Sequence, residues 1–171
     1  MIPVPGRKQS DDPSPDELTR IHLRRHLAAA GAGTALFRRV ASSIAPDLRT
    51  RVGELARDVE ADQQSLLDIA ERFDAQRPRL QEIVGGLAQE AGRLNPTGTL
   101  LRRSPLADVI ELEALGTAVH GKLLGFRTLR QVAQDDPRVD PAEIDHLCER
   151  ARDQQERLEA LRQEAVERAF A

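Results

Sequence analysis

Four long stretches of this chain carry the hydrophobic spacing of an α-helix, and prolines lie at the borders between them. The first stretch is opened by the acid Asp16. The third and fourth begin at Ser104-Pro105 and Asp140-Pro141, where a capping residue precedes a proline suited to the first helical position. Each stretch has about 30 residues and would span roughly 40–45 Å. We predict long helices over residues 16–44, 47–76, 105–134 and 141–170.

The composition favours helices and argues against a β-rich fold. Among 171 residues there is no tryptophan or tyrosine and there are four phenylalanines, whereas strands are rich in aromatic and β-branched residues. The length fits one domain, which we place at residues 16–171. Residues 1–15 hold four prolines and no apolar run, so we predict a disordered N-terminal tail there and no secretory signal.

The lengths of the connections indicate how the helices are ordered. The first and last connections need only a few residues. The second takes residues 77–104 and includes a short amphipathic pattern over about 79–94. Two short connections with a long one between them are typical of ferritin-like bundles, in which one crossover returns along the bundle. We therefore predict an all-α, ferritin-like four-helix bundle with a short crossover helix. A simple up-down bundle with the extra helix as a cover fits the same lengths.

A family resemblance is carried by three segments: Arg103-Ser104-Pro105-Leu106, Glu111-Leu112-Glu113 and Val119-His120-Gly121-Lys122. With these segments the chain resembles uncharacterised actinobacterial four-helix proteins of ferritin-like type. The resemblance covers most of the chain as architecture and only the third helix as motif. The resemblance implies a fold and nothing else. The large excess of arginine over lysine agrees with a GC-rich bacterial source.

A ferritin-like topology raises the question of a di-iron site, which needs inward carboxylates on all four helices and Glu-x-x-His on two of them. The first helix has no carboxylate in its interior, and the second has no histidine. One match, Glu143 with His146, lies in the first turn of the fourth helix, where an acid is ordinary helix-dipole chemistry. We expect no catalytic residues, no cofactor and no enzyme activity.

Several polar residues nonetheless fall on or beside the apolar faces when residues are placed at about 100° steps along each helix. These candidate ligand-binding residues are His22 and His26 on the first helix, Asp62 on the second, Glu113 and His120 on the third, and Gln155 and Arg162 on the fourth.

The positions of these residues along the helices predict a central polar layer. Asp62, His120 and Gln155 each lie close to the midpoint of their helix and are therefore expected at the same height along the bundle axis. One interpretation is a satisfied polar network that fixes helix register. The other is a ligand or metal pocket built from Asp62 and His120, with His26 as a further candidate, since carboxylate and imidazole suit a divalent metal. Glu113 and Arg162 are level as well, and we predict a salt bridge between them.

Glycines inside the predicted helices are a second unusual feature. Gly31 and Gly33 lie in the first helix, and Gly116, Gly121 and Gly125 in the third. Each costs about 1 kcal/mol relative to alanine. Close helix approach or room for a ligand would offset that cost. The Gly121–Gly125 spacing also fits a contact between two copies of the chain.

Charge and hydropathy narrow the function classes. The net charge is −3 and aromatic residues do not alternate with basic ones, which argues against nucleic acid as a partner. The longest uncharged run, Leu27–Phe37, is far shorter than the roughly 20 residues that span a bilayer, which argues against a membrane. We predict a cytoplasmic, non-catalytic interaction or assembly protein whose partner is a second copy of the chain, in a homodimer, or another protein. The alternative is a ligand- or metal-binding ferritin-like bundle with a non-standard site at its central polar layer.

Overall fold

The computed structural model describes residues 12–75 and 104–171, and these two ranges contain helices and turns but no strand. The helices are α1 (Pro15–Ser43), α2 (Pro46–Glu71), α3 (Pro105–Val132) and α4 (Pro141–Phe170). The prediction of an all-α four-helix bundle is confirmed. The short helix predicted at 79–94 and most of the predicted tail lie outside the described residues.

Local signals in the sequence set where the helices begin. Ser14, Ser104 and Asp140 cap α1, α3 and α4, because the side-chain oxygen of each accepts a hydrogen bond from a backbone N–H of the first turn. Proline occupies the start of all four helices. α2 has no side-chain cap; it starts at Pro46, so α1 and α2 form a hairpin with a very short connection.

α2 ends at Glu71, earlier than the predicted end at residue 76. Asp74 adopts a left-handed φ of 51°, and the N–H of Ala75 donates to the carbonyl of Ala70 at 3.0 Å, which is the hydrogen bond of a Schellman ending. Phe73 is fully buried in this turn, beneath the guanidinium of Arg138 at 4.0 Å from the ring centroid. An anchored aromatic ring and a left-handed residue therefore stop the helix.

The four helices form a square in which α1 and α4 each pack against α2 and α3. All four pairs of neighbouring helices are antiparallel, as the contacts along each pair show. The contacts are Arg39–Glu111 and His22–Gly125 for α1/α3, Thr34–Gln63 for α1/α2, Arg130–Asp145 for α3/α4, and Arg168–Asp47 and Arg72–Glu143 for α2/α4. α2 and α3 consequently run in the same direction on opposite corners. The end of α2 and the start of α3 lie at opposite ends of the bundle.

Apolar side chains from all four helices fill the centre of the square. The largest fully buried ones include Phe37, Leu55, Leu112, Leu115 and Ile144. None of the described helices is both long and apolar enough to cross a bilayer. The core surrounds the polar residues considered next.

Candidate functional site

Asp62 is the polar residue most deeply buried in the described part of the bundle. It lies near the middle of α2 on the line of Val59, Leu66 and Ile69, and none of its surface is exposed. The helical period that carries those apolar residues into the core carries the carboxylate with them. The sequence prediction of an inward Asp62 is confirmed.

Three side chains from the other hairpin surround this carboxylate. Lys122 Nζ on α3 donates to Asp62 Oδ2 at 2.5 Å, and Gln154 Nε2 on α4 donates to the same oxygen at 2.8 Å. Lys122 Nζ also donates to Gln154 Oε1. On the other side of the carboxylate, a guanidinium nitrogen of Arg150 lies 2.7 Å from Asp62 Oδ1. We call these four residues the Asp62 cluster.

Within the Asp62 cluster, burial acts on the ammonium group of Lys122. The side chain of Lys122 is 15% exposed, and this burial lowers its pKa while the negative charge of Asp62 opposes the shift. Asp62 Oδ1 has its ion-pair contact with Arg150 but no aligned hydrogen bond, because the Arg150 group donates to the backbone carbonyl of Asp58 at 3.3 Å. One carboxylate thus balances two cations, and the Lys122 ammonium occupies the position where a bound cation would meet Asp62.

His22 and His26 belong to a different place, the contact between α1 and α3. His22 Nε2–H donates to the carbonyl of Gly125 at 3.2 Å, and the two imidazole centroids are 4.4 Å apart. A Cβ built on Gly125 would lie only 2.4 Å from Nδ1 of His26. Gly125 therefore lies where α1 and α3 approach each other closely, as one interpretation of the helix glycines predicted. Because His26 covers it, Gly125 cannot take part in the suggested contact between copies, whereas Gly121 stays exposed.

Burial controls the protonation of both histidines. It lowers the pKa of His22, against a smaller raising effect of the hydrogen bond to Gly125. It also lowers the pKa of His26, and the positive charges of His22 and Arg25 add to that lowering. Both imidazoles are consequently held toward their neutral form at this contact.

Three of the remaining candidates line an open groove of about 440 Å³ between α3 and α4, and the fourth, His120, contacts one of them. Glu113, Gln155 and Arg162 line it, and Gln155 Nε2 donates to Nδ1 of His120 at 3.2 Å. Arg162 pairs with Glu159 in a bidentate arrangement at 2.7 Å. The Glu113–Arg162 salt bridge expected from the sequence is therefore replaced by a pair within α4.

The predicted central layer is thus divided into two clusters. Asp62 contacts Lys122, Gln154 and Arg150 inside the bundle, whereas His120 and Gln155 contact each other on its flank. No three histidine, cysteine or acidic side chains of the described ranges converge in a way that could hold a metal ion.

Sequence reasoning missed the three partners of Asp62. Gln154 is adjacent to the predicted Gln155, and about 100° of helical rotation separates the two. Lys122 was available as a signal: it lies on the apolar side of α3 between Val119 and Leu123, and it is the one lysine in the helical part of an arginine-rich chain. A long aliphatic stem lets such a residue cross apolar surface to reach a buried acid.

No protein-family model, curated protein or solved structure matches the chain. The resemblance to actinobacterial ferritin-like proteins consequently stays a prediction from the sequence.

Proposed function

We propose that this chain is a non-catalytic helical bundle that acts by binding protein, and that it associates with a second copy of itself. The observation that carries the proposal is the contrast between a buried polar cluster whose charges pair with one another and the large apolar side chains that stay exposed on α1 and α3.

The Asp62 cluster supports a structural role for the polar interior. Its carboxylate on α2 binds Lys122 on α3 and both Gln154 and Arg150 on α4, so one residue connects the two hairpins at mid-height. A ligand would have to displace Lys122 from Asp62, at a large desolvation cost. The alternative of a ligand or metal pocket at this layer gains no support from that geometry.

The distribution of exposed apolar residues supports an interaction role. Large exposed hydrophobic side chains in the described ranges are concentrated on α1 and α3: Leu18, Ile21, Leu106, Ile110 and Leu124. The exception is Phe170, the last residue of α4. Large apolar side chains that stay exposed on two neighbouring helices support a protein-binding role.

The proposal includes a ferritin-like topology. The parallel course of α2 and α3 on opposite corners supports it, since one long connection is then needed between them. The short crossover helix, the bacterial source and the cytoplasmic location belong to the same proposal and rest on the sequence alone.

Sedimentation equilibrium over a wide range of protein concentration tests the proposed function. We expect a reversible dimer whose population falls on dilution. Elemental analysis of untagged protein purified without chelator is the control for the metal-binding alternative, and we expect no stoichiometric metal. A chain that stays monomeric at every concentration would contradict self-association, and stoichiometric metal lost in Asp62→Ala would contradict the structural role of the cluster.

A further inference from the structure

The outward side of α3 carries a regular uncharged stripe. Ala107, Ile110, Ala114, Thr117, Gly121, Leu124 and Thr128 follow one another at alternating spacings of three and four residues. This is the spacing of the contact positions in a two-stranded coiled coil. Ile110 and Leu124 are each 48% exposed, and Thr117, Gly121 and Thr128 are exposed as well. We call these seven residues the outer stripe.

The outer stripe differs from the outward sides of α2 and α4, which are charged or strongly polar. Exposed residues there include Arg57, Gln64 and Asp68 on α2, and Arg152, Glu156, Gln163 and Glu167 on α4. A solvated helix face is expected to look like those two. The absence of charge from the seven positions on α3 therefore indicates a face that is covered in the working protein.

We infer that a second copy of this chain packs its α3 antiparallel against the outer stripe, about a two-fold axis close to Thr117 and Gly121. The inference rests on the proposed self-association and names its interface. In this register Ala114 faces Leu124 of the second copy and Gly121 faces Thr117 of the second copy, so small residues face larger ones. A Cβ built on Gly121 meets no atom within 4 Å, which leaves room for the approaching helix.

Charge complementarity selects a second copy as the occupant. Glu113 and Arg127 lie on the same flank of the outer stripe, about four helical turns apart. Arg127 forms no ion pair with any described residue. The antiparallel register places Glu113 opposite Arg127 of the second copy. The two-fold axis repeats the pair, so one surface complements itself, as an isologous interface requires.

The stripe is narrow, so the dimer is expected to be weak. A standard interface buries about 800 Å² per partner. A single helix face with two large apolar side chains is expected to bury less than that. The expected dimer therefore dissociates measurably on dilution, which makes its dissociation constant accessible to sedimentation.

Charge reversal tests the inference through its register. Glu113→Arg and Arg127→Glu each place like charges opposite one another at both ends of the interface, and each is expected to raise the dissociation constant about tenfold or more, the equivalent of about 1.4 kcal/mol. An equimolar mixture of the two variants is expected to form a heterodimer with restored affinity, because both pairs are then opposite in sign. Glu54→Arg, an exposed reversal on α2, is the matched control and leaves the dimer intact.

A cross-linking experiment checks the same register independently of charge. In a Cys148→Ala background, Thr117→Cys mixed with Gly121→Cys is expected to form a disulfide-linked dimer faster than either variant alone. Leu124→Glu is expected to abolish the dimer while the helical circular dichroism signal stays unchanged, since this side chain is half exposed.

The outcomes separate the inference from the proposed function. A dimer that survives Leu124→Glu and both charge reversals would overturn the α3 interface and leave self-association standing at another surface. A monomeric wild-type chain would overturn both. If that monomer also protects Thr117→Cys from thiol reagents, the occupant of the outer stripe is the chain's own segment 76–103.

Discussion

Two seams join the α1/α2 hairpin to the α3/α4 hairpin, and they are built from different chemistry. In the narrow seam, between α1 and α3, the imidazole of His26 lies against the bare backbone of Gly125. In the wide seam, between α2 and α4, few backbone positions approach closely, and long side chains bridge the gap. The bridges are Asp47–Arg168, Arg51–Glu164, Asp58–Arg157 and Arg72–Glu143, with the Asp62 cluster among them.

The difference shows how side-chain size sets the separation between helices and how that separation then selects the chemistry. Small residues such as Gly125 let α1 and α3 approach until one flat ring fills the space. Long arginine and acidic side chains span the wider gap between α2 and α4 and pair across it, and an unpaired charge is costly only at the fully buried Asp62. The narrow seam therefore depends on shape and the wide seam depends on charge balance.

The largest expected effect is at the centre of the wide seam. Asp62→Ala leaves Lys122 and Arg150 without their counter-charge in the interior, which is expected to lower the free energy of unfolding by about 3–5 kcal/mol. Asp58→Ala, a partly exposed acid on the same seam, is the control and is expected to cost about 0–1 kcal/mol. Urea unfolding followed by circular dichroism measures both. Equal losses for the two variants would show that Asp62 does not hold the hairpins together.

The next effect breaks the narrow seam by shape. Gly125→Ala places a methyl group into the ring of His26, and such overpacking typically costs about 1–3 kcal/mol. Gly116→Ala on the same helix meets no neighbour within 4 Å, and the higher helix propensity of alanine is expected to stabilise it by about 0.5–1 kcal/mol. Opposite signs for the two substitutions in thermal or urea unfolding would confirm the close approach.

A double variant sharpens this measurement. His26→Ala removes the ring that the added methyl group meets, so Gly125→Ala is expected to cost much less in that background than in the wild type. Additive losses would place the strain of Gly125→Ala somewhere other than at His26.

The two seams are expected to respond differently to mildly acidic pH, because only the narrow seam contains half-buried histidines among the described residues. The pKa values of His22 and His26 are lowered by burial, so the unfolded chain binds more protons than the folded one below the ordinary histidine pKa of about 6.5. Stability is therefore complete above that pH and falls as the pH decreases from about 6.5 toward 5. His22→Gln combined with His26→Gln is expected to flatten this slope in urea unfolding at several pH values. An unchanged slope would contradict neutral histidines in the narrow seam.

The smallest effect concerns the exposed bridges of the wide seam. Arg51→Gln removes the partner of Glu164, a pair whose two side chains are each 45% exposed, and is expected to cost about 0–1 kcal/mol. The cost is expected to shrink in high salt, because exposed pairs are screened. The loss in Asp62→Ala is expected to persist in the same salt, since the carboxylate of Asp62 is fully buried. If the stability loss in Arg51→Gln does not change with salt, the Arg51–Glu164 pair behaves like a buried ion pair and not like an exposed one.

The sequence by itself determined the helices, their starts and the inward position of Asp62. Caps at Ser14, Ser104 and Asp140, prolines at the helix starts and the apolar period are local signals, and local signals need no knowledge of the neighbouring helices. The early end of α2 was missed because the burial of Phe73 beneath Arg138 joins residues far apart in the chain.

The tertiary structure decided which polar residues meet. Gln154 rather than Gln155 binds Asp62, Lys122 crosses apolar surface to join them, and Arg162 pairs with Glu159 rather than with Glu113. Each choice depends on the rotation of a helix about its own axis and on the reach of a flexible side chain. The hydrophobic period defines a face about 100° wide, which is the angle between neighbouring residues, so it cannot select between Gln154 and Gln155. Packing against three other helices fixes that rotation, and only then is the partner of each charge determined.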